Sequence, residues 1–231
     1  MKTVGIIGGI GPESTIVYYR SIVAAYREKK QDGSYPSVVI NSIDLTKMLR
    51  LIGSNQLAEV AAYLVGEVQK LARASADFGL LAANTPHIVF DDITRQSPIP
   101  LISIVEATCQ EAQTFGLKRL GLFGIRATMQ GQFYPDVFSN AGISLLTPEP
   151  AEQDYIHDKY MNELVPGIIH PETRDHLLSI VDQMKEEQGI DGVILGGTEL
   201  SPILNISQYN GIPFLDTTQI HVKHAVAELL S

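Results

Sequence analysis

Short apolar runs alternate with longer amphipathic stretches along the whole chain, and this alternation limits the folds open to it. The runs Val4–Ile7 and Gly192–Leu195, for example, each lead directly into a pair of glycines. Runs of about four to eight apolar residues predict strands that are buried on both faces. The amphipathic stretches predict the helices that cover those faces. Because strands that alternate with helices form parallel sheets, the sequence predicts an α/β fold with parallel sheets flanked by helices.

The boundaries of these elements follow from the runs and from the glycines and prolines between them. The predicted strands are Val4–Ile7, Ser37–Ile40, Gly79–Ala82, Pro100–Ile104, Arg119–Phe123, Ser144–Leu146, Gly192–Leu195 and Ile212–Leu215. The predicted helices are Glu13–Lys30, Asn55–Ala74, Val105–Gln113, Thr128–Asn140, Glu152–Val165, Pro171–Glu187 and Thr217–Leu230.

The pattern restarts near the middle of the chain. A strand that ends at Gly8 opens the first half, and a similar strand that ends at Gly124 opens the second. From Gly8 to Ala82 is 74 residues and from Gly124 to Gly196 is 72, a spacing that suggests an internal duplication. We therefore predict two pseudo-symmetric lobes, residues 1–98 plus 212–231 and residues 99–211. Strand ends of the two lobes are expected to face an active-site cleft between them.

Composition excludes several classes of function. The chain has 231 residues and a net charge of −9, so the clustered basic residues of a nucleic-acid-binding surface are not expected. Its one cysteine, Cys109, permits neither an intramolecular disulfide nor a cysteine-based zinc site. No carboxylate pattern accompanies His221 and His224, so no metal site is predicted. With neither a signal-peptide pattern nor a membrane-length apolar run, we expect a cytoplasmic protein without membrane contact.

The first candidate site is the glycine-rich loop after the first strand. Gly9, Ile10 and Gly11 precede a predicted helix, where backbone N–H groups suit a small anion. No Gly-Lys-Ser/Thr follows, so the loop is not a P-loop, and Ser14 stands where a dinucleotide fingerprint needs its third glycine. The alternative is a tight turn in which Ser14 or Thr15 caps the helix.

The second candidate site follows the strand Gly79–Ala82. Asn84 and Thr85 stand where that strand ends, and such polar groups can hold a carboxylate. His87 is a candidate for proton transfer near neutral pH. The alternative is a polar turn that carries a surface histidine.

Two further candidates lie in the second half. Thr198 and Glu199 follow Gly196 and Gly197 at a strand end, and Glu199 would serve as a general acid or base if it were buried. Thr128 follows Gly124 and mirrors the first loop, so it could donate to a second anion. The alternatives are an N-terminal helix turn in which Glu199 faces the helix dipole and a simple N-cap at Thr128.

Together these segments resemble the cofactor-independent aspartate/glutamate racemase family, in order and over nearly the whole chain. The matching segments are Gly5-Ile6-Ile7-Gly8-Gly9-Ile10-Gly11-Pro12-Glu13-Ser14-Thr15 with Tyr18-Tyr19, Ala83-Asn84-Thr85-Pro86-His87, Ala127-Thr128-Met129 with Phe133-Tyr134, and Leu195-Gly196-Gly197-Thr198-Glu199-Leu200.

The resemblance implies a homodimer with the active site between two lobes, and no pyridoxal phosphate or metal. It also implies two catalytic cysteines, one removing the proton from the substrate α-carbon and the other returning it from the opposite face. In this sequence those positions are Ala83 and Gly197, which carry no ionisable side chain, and Cys109 lies in another segment. His87 and Glu199 are each near one of the two positions and are possible substitutes.

Three functions remain open from the sequence. The first is an amino-acid racemase of this family that acts on a small amino acid or dicarboxylate with other acid/base groups. The second is a homologue that binds such a ligand through Gly9, Ile10, Gly11, Asn84, Thr85, Thr128 and Thr198 without catalysis. The third is a lyase or decarboxylase on the same scaffold that needs one proton donor.

Overall fold

The strands of the computed structural model form two separate sheets, in agreement with the predicted α/β fold. The structure describes residues 2–231. Clustering of contacts divides the chain into a first unit, which ends at Ile104 and resumes with His221–Ser231, and a second unit, Val105–Ile220. Among the described residues, no helix is long and apolar enough to cross a membrane.

The first unit contains a four-stranded parallel sheet in the order β2-β1-β3-β4. Its strands are β1 (Thr3–Gly8), β2 (Ser37–Ser42), β3 (Phe78–Leu81) and β4 (Leu101–Ile102). The helices are α1 (Pro12–Lys30), α2 (Leu45–Gly53), α3 (Leu57–Arg73) and α4 (Phe90–Gln96), with a 3₁₀ turn at Thr85–Val89.

Helices cover both faces of this sheet, because its strands are apolar on both sides. On one face, Ile6 and Leu80 pack with Tyr18 and Ile22 of α1 and with Val226 near the end of the chain. On the other face, residues of β1 and β3 pack with α2, α3 and α4, and the buried members of that cluster include Ile7, Leu81, Met48, Leu64 and Ile93. Each such side chain contributes about 1.5–3 kcal/mol when it leaves water.

The second unit contains a five-stranded sheet in the order β6-β5-β7-β9-β8. Its strands are β5 (Arg119–Phe123), β6 (Ser144–Leu146), β7 (Gly192–Leu195), β8 (Gln208–Tyr209) and β9 (Ile212–Asp216), and β8 alone is antiparallel to its neighbour. The helices that lie wholly in this unit are α6 (Arg126–Met129), α7 (Phe133–Asn140), α8 (Pro150–Lys159), α9 (Pro171–Gln188) and α10 (Leu200–Ile203). Helix α5 (Ile104–Thr114) begins with the last residue of the first part of unit one, and most of α11 (Thr217–Leu230) belongs to the first unit. A π-helical turn at Tyr160–Leu164 extends α8.

The core of the second unit lies where β5 and β7 meet the helices. Phe123 and Leu195 pack with Ile156 of α8, Tyr160 of the π-helical turn and Val181 of α9. Tyr160 is therefore held by apolar neighbours along its ring.

The two units repeat one strand order. In each, the second strand along the chain lies at an edge, followed by the first and then by the third. The carboxyl ends of β1 and β3 are neighbours in the first unit, as those of β5 and β7 are in the second. This repeat agrees with the duplication suggested by the glycine spacing.

The observed division differs from the predicted lobes at two strands. β9 pairs with β7, so residues 212–216, which we placed with the first lobe, belong to the second sheet. β4 pairs with β3, so residues 101–102, which we placed with the second lobe, belong to the first sheet. The chain instead passes from one unit to the other inside a helix. It does so after Ile104, the first residue of α5, and again after Ile220 in α11. Neither point carries a proline, glycine or charge signal that would mark a boundary in the sequence.

Candidate active site

The glycine loop after β1 adopts backbone conformations that only glycine accommodates easily. Gly9 and Gly11 both have a φ of 78°. A side chain at Gly9 would also meet the backbone of Ile43, with its Cβ 2.6 Å from the carbonyl oxygen. The Gly9 N–H donates to the Thr15 hydroxyl at 2.8 Å, so this amide has a partner within the protein. Gly9 thus shapes the loop, and the anion-binding role that we predicted for its amide would require Thr15 to move.

Ser14 connects this loop to the neighbouring strand. Its buried hydroxyl donates to the Ala82 carbonyl at 2.7 Å, just where β3 ends. The loop Gly9–Gly11 and the segment that follows Ala82 are thereby held at the same edge of the first sheet. Asn84 is buried and Thr85 is half-buried at that edge. The first two candidate sites of the sequence therefore lie together.

His87 occupies a closed environment behind Asn84. Its Nδ1 lies 3.1 Å from the Ala83 carbonyl and 3.2 Å from the Asn84 carbonyl, while its Nε2 accepts from the Ile104 N–H at 3.2 Å. These partners fix the neutral tautomer that carries its proton on Nδ1. Burial, and next the nearby His221 ring, lower the pKa of His87 to about 3.

The second buried histidine belongs to the same group. The Tyr18 hydroxyl lies 2.9 Å from His221 Nδ1, and His221 Nε2 donates to the Ile102 carbonyl at 2.9 Å. Burial lowers the pKa of His221 to about 4. The rings of His87 and His221 are 6.4 Å apart. Both imidazoles are neutral near pH 7, with both ring nitrogens occupied, so neither has a free nitrogen for a substrate proton.

Two glycines bring β5, β7 and Thr128 close together in the second unit. A Cβ at Gly196 would lie 2.7 Å from the Phe123 carbonyl oxygen and 3.0 Å from Thr128 Cγ2. A Cβ at Gly124 would lie 3.0 Å from Thr128 Cβ. Thr128 is fully buried here, and within residues 2–231 its hydroxyl has no hydrogen-bond partner. An unpaired buried hydroxyl costs about 1–3 kcal/mol, which a ligand oxygen would offset.

A tyrosine that the sequence reading did not select completes the end of β7. Tyr160 donates a hydrogen bond from its hydroxyl to Glu199 Oε2. The Thr198 hydroxyl donates to the same oxygen at 2.7 Å. The Tyr160 side chain also takes the space beside Gly197, where a Cβ would lie 2.6 Å from Tyr160 Cε2 and closer still to the hydroxyl oxygen. Thr198 and Glu199 thus share hydrogen bonds with a residue that is 39 positions away in sequence from Glu199.

The second unit also contains a cavity of about 270 Å³. It is lined by Leu195, Ser201, Leu204, Asn205, Ile206, Ser207, Phe214 and Asp216. The buried hydroxyl of Ser201 has no partner in the described chain. One carboxylate oxygen of Asp216 accepts from the N–H groups of Thr218 and Gln219 at the start of α11. The cavity therefore has polar groups at the carboxyl ends of β7 and β9.

The one cysteine lies in a helix, away in sequence from the candidate site residues. Cys109 is buried in α5, and burial, followed by the nearby Glu106 carboxylate, raises the pKa of its thiol. A thiol with a raised pKa is a poor proton acceptor near neutral pH. Within residues 2–231, no group of three or more His, Cys, Asp or Glu side chains is arranged to hold a metal ion.

Comparisons with known proteins agree with this fold. The model of the Asp/Glu/hydantoin racemase family matches residues 7–225. The broad-specificity amino-acid racemase RacX of Bacillus subtilis (strain 168) is 26% identical over 235 residues, covering 99% of this chain and 98% of RacX. A crystal structure of an aspartate racemase homologue from Pyrococcus horikoshii OT3 has a TM-score of 0.88 and 30% identity, with both chains covered completely.

A more distant structure shows the same fold. The aspartate racemase of Picrophilus torridus has a TM-score of 0.79 at 19% identity, covering 99% of this chain and 94% of its own. From the match of its sequence over residues 7–225 and from its fold, the chain belongs to the Asp/Glu/hydantoin racemase family.

Proposed function

We propose that this protein binds a small amino acid or dicarboxylate at the carboxyl ends of its central strands and moves the proton on the α-carbon, as an isomerase without pyridoxal phosphate. The observation that carries this proposal is the position of the candidate polar residues. Asn84 and Thr85 follow β3, while Thr128 and Thr198 follow β5 and β7. Ligands of open α/β sheets bind at such strand ends.

Thr128 is the most informative of these residues. Its hydroxyl is buried without a partner, and the absence of side chains at Gly124 and Gly196 makes room for its own side chain. A ligand carboxylate would supply the missing acceptor, and hydrogen bonds to an ionised group contribute about 1.5–3 kcal/mol. The choice of an amino acid as ligand is supported by RacX, which is named as an amino-acid racemase of broad specificity.

Thermal unfolding tests the binding half of this proposal. Each of the common L- and D-amino acids, and a series of dicarboxylates, is added to the protein and the melting temperature is measured. A ligand present at 100 times its Kd stabilises the folded state by about 2.7 kcal/mol, which corresponds to a rise of roughly 5–11 °C at this chain length. If none of these compounds changes the melting temperature, the proposed function fails.

Thr128→Val is the matching variant, because valine keeps the shape of threonine and removes the hydroxyl. We expect it to weaken binding of the stabilising compound by roughly tenfold or more, from the loss of about 1.5–3 kcal/mol. Thr114→Val, on the exposed end of α5, is the control that removes a threonine hydroxyl away from any strand end. If wild-type protein, Thr128→Val and Thr114→Val bind the compound equally well, Thr128 is not part of the binding site.

A specific observation also favours a second candidate, a homologue that binds the same ligand without catalysis. Ala83 and Gly197, which the family resemblance marks as the acid/base positions, carry no ionisable side chain. Hydrogen–deuterium exchange at the ligand α-carbon separates the two functions. A compound that binds and exchanges its α-proton faster than in buffer indicates an isomerase-type site, whereas binding without exchange indicates the non-catalytic homologue.

A further inference from the structure

Tyr160 and Gly197 fit one another in a way that only glycine permits. A Cβ at position 197 would lie 2.6 Å from Cε2 and 2.8 Å from Cζ of the Tyr160 ring, well inside the usual contact distance. The φ of Gly197 is not in the left-handed region, so the backbone itself does not require glycine here. The side chain of Tyr160 therefore explains why this position has none.

The hydroxyl that takes this space has an ionisable partner. Tyr160 donates to Glu199 Oε2, and Thr198 donates to the same oxygen at 2.7 Å, so two hydroxyl donors converge on one carboxylate oxygen. Burial, and next the nearby Glu199 charge, raise the pKa of Tyr160 well above its usual value. At neutral pH the tyrosine keeps its proton and shares it with the carboxylate.

The backbone around Tyr160 is unusual as well. The helix that begins as α8 changes at Tyr160 into a π-helical turn, in which the Val165 N–H donates to the Tyr160 carbonyl at 2.9 Å. A π-helical turn inserts a residue into the helix and changes the direction of the side chains beyond it, and such turns are frequent at functional sites. Here it begins at the residue that reaches Gly197.

We propose that Tyr160 is the acid/base residue of this site and that Glu199 is its positioning partner, a role that rests on the proposed function. The substrate Cα–H bond breaks and its electrons remain on the substrate as an enolate. The α-proton forms a new O–H bond at the Tyr160 oxygen, while the original Tyr160 proton passes to Glu199 Oε2. Return of a proton from the Tyr160 hydroxyl reverses both transfers, and exchange with solvent occurs when that hydroxyl proton is replaced from water before its return.

A stereochemical result follows from this arrangement. A single acid/base group returns a proton to the face from which it was removed, and inversion needs a second group on the other face. Tyr160 therefore accounts for proton transfer on one face of the substrate, and inversion by the proposed isomerase requires a second group on the other face.

The experiment follows this exchange in D₂O by proton NMR, with the D- and L-forms of each common amino acid as probes and chiral chromatography of the products. Wild-type protein is expected to exchange the α-proton of a compound that it binds faster than buffer alone does. Tyr160→Phe, which keeps the ring, should slow exchange at least a hundredfold while the Kd of that compound changes less than threefold. Glu199→Gln should behave similarly, and Glu199→Asp should recover part of the rate.

Tyr134→Phe is the matched control. Tyr134 is fully buried in the same unit, but its hydroxyl contacts the hydroxyls of Thr108 and Thr217 rather than a carboxylate. This variant should keep the wild-type exchange rate, and circular dichroism and melting temperature verify that each variant is folded.

The possible outcomes separate this inference from the proposed function. Exchange that persists in folded Tyr160→Phe overturns the role of Tyr160, as does a compound that binds wild-type protein without any α-proton exchange. If no compound binds or exchanges, the proposed function fails and the inference fails with it.

Discussion

Gly197→Ala is the smallest change that tests the fit between Gly197 and Tyr160. The new methyl carbon would be 2.6 Å from Tyr160 Cε2 and 2.8 Å from Cζ, and closer still to the hydroxyl oxygen. Carbon atoms in ordinary contact are about 3.5–4.0 Å apart. The ring must therefore retreat by roughly 1 Å, although Tyr160 is only 8% exposed and is packed in the core of the second unit.

The expected cost follows from this displacement. One added methyl group in a filled core destabilises by about 1–3 kcal/mol. Alanine restricts the unfolded chain more than glycine does, which offsets about 0.4–1 kcal/mol. The net loss should be about 1–2 kcal/mol, and for a chain of this length the melting temperature should fall by roughly 2–8 °C.

Thermal and urea unfolding measure this loss against two reference variants. Gly66→Ala lies in α3 with no atom within 4 Å of the added Cβ, so it should stabilise the protein by about 0.5–1 kcal/mol. Tyr160→Leu removes the atoms that the methyl group added at position 197 would meet, so the double variant should be at least about 1 kcal/mol more stable than the sum of the single effects. A Gly197→Ala protein as stable as wild type, or additive single effects, would refute the reasoning.

Three further predictions concern stability and the ligand-free site. His87 and His221 have lowered pKa values in the folded protein, about 3 and about 4, so the unfolded chain takes up protons first as the pH falls below about 6.5. Each of these two histidines should lower the free energy of unfolding by about 2 kcal/mol at pH 5 relative to pH 7.5. Urea titrations at pH 7.5, 6 and 5 would measure this loss. A free energy of unfolding that stays constant between pH 7.5 and 5 would contradict the neutral state assigned to both imidazoles. Ser14→Ala should lower the melting temperature by roughly 2–6 °C, since it removes the buried bond to the Ala82 carbonyl, and an unchanged value would show that this bond is not needed. Thr128→Val should raise the melting temperature of the ligand-free protein by roughly 2–12 °C, because it removes a buried unpaired hydroxyl. A decrease would indicate that the hydroxyl has a partner.

The alternation of apolar runs was sufficient to predict the class of fold and most of the central strands. The strand Arg119–Phe123, for example, has the predicted bounds, because an apolar run buried on both faces has a strong signal. Helix α2 was missed, although Asp44 caps it by accepting from the N–H groups of Thr46 and Lys47. At nine residues it is short, and no element was predicted for this segment.

Strand pairing was harder to predict than strand position. β9 was placed with the first lobe, yet its partner is β7 of the second sheet. A buried parallel strand has the same apolar character whichever sheet it joins, so its sequence does not specify its partner. The same reasoning applies to β4, whose two residues pair with β3.

The candidate site residues were found where strands end, and Tyr160 was missed for a physical reason. Polar residues after glycines, such as Thr198, stand out in a sequence because parallel strands bind ligands at that edge. Tyr160 lies within a predicted helix, Glu152–Val165, where an aromatic residue is ordinarily part of the core. A π-helical turn has no sequence signature of its own, so the direction of this side chain required the structure. The only sign in the sequence that a large side chain lies against this strand end was the glycine at position 197.

That lack of a side chain bears on whether the site has been lost or replaced. If position 197 had only lost a thiol, alanine or serine would leave the neighbouring space open, and a tyrosine would not be needed to fill it. Glycine is the residue that admits the Tyr160 hydroxyl, and that hydroxyl lies against a carboxylate rather than against carbon. A cysteine introduced by Gly197→Cys would therefore meet the same ring atoms as an alanine would. We expect that it could act only together with a shorter residue at position 160, so the single variant would test the packing and the pair Gly197→Cys/Tyr160→Leu would test the chemistry.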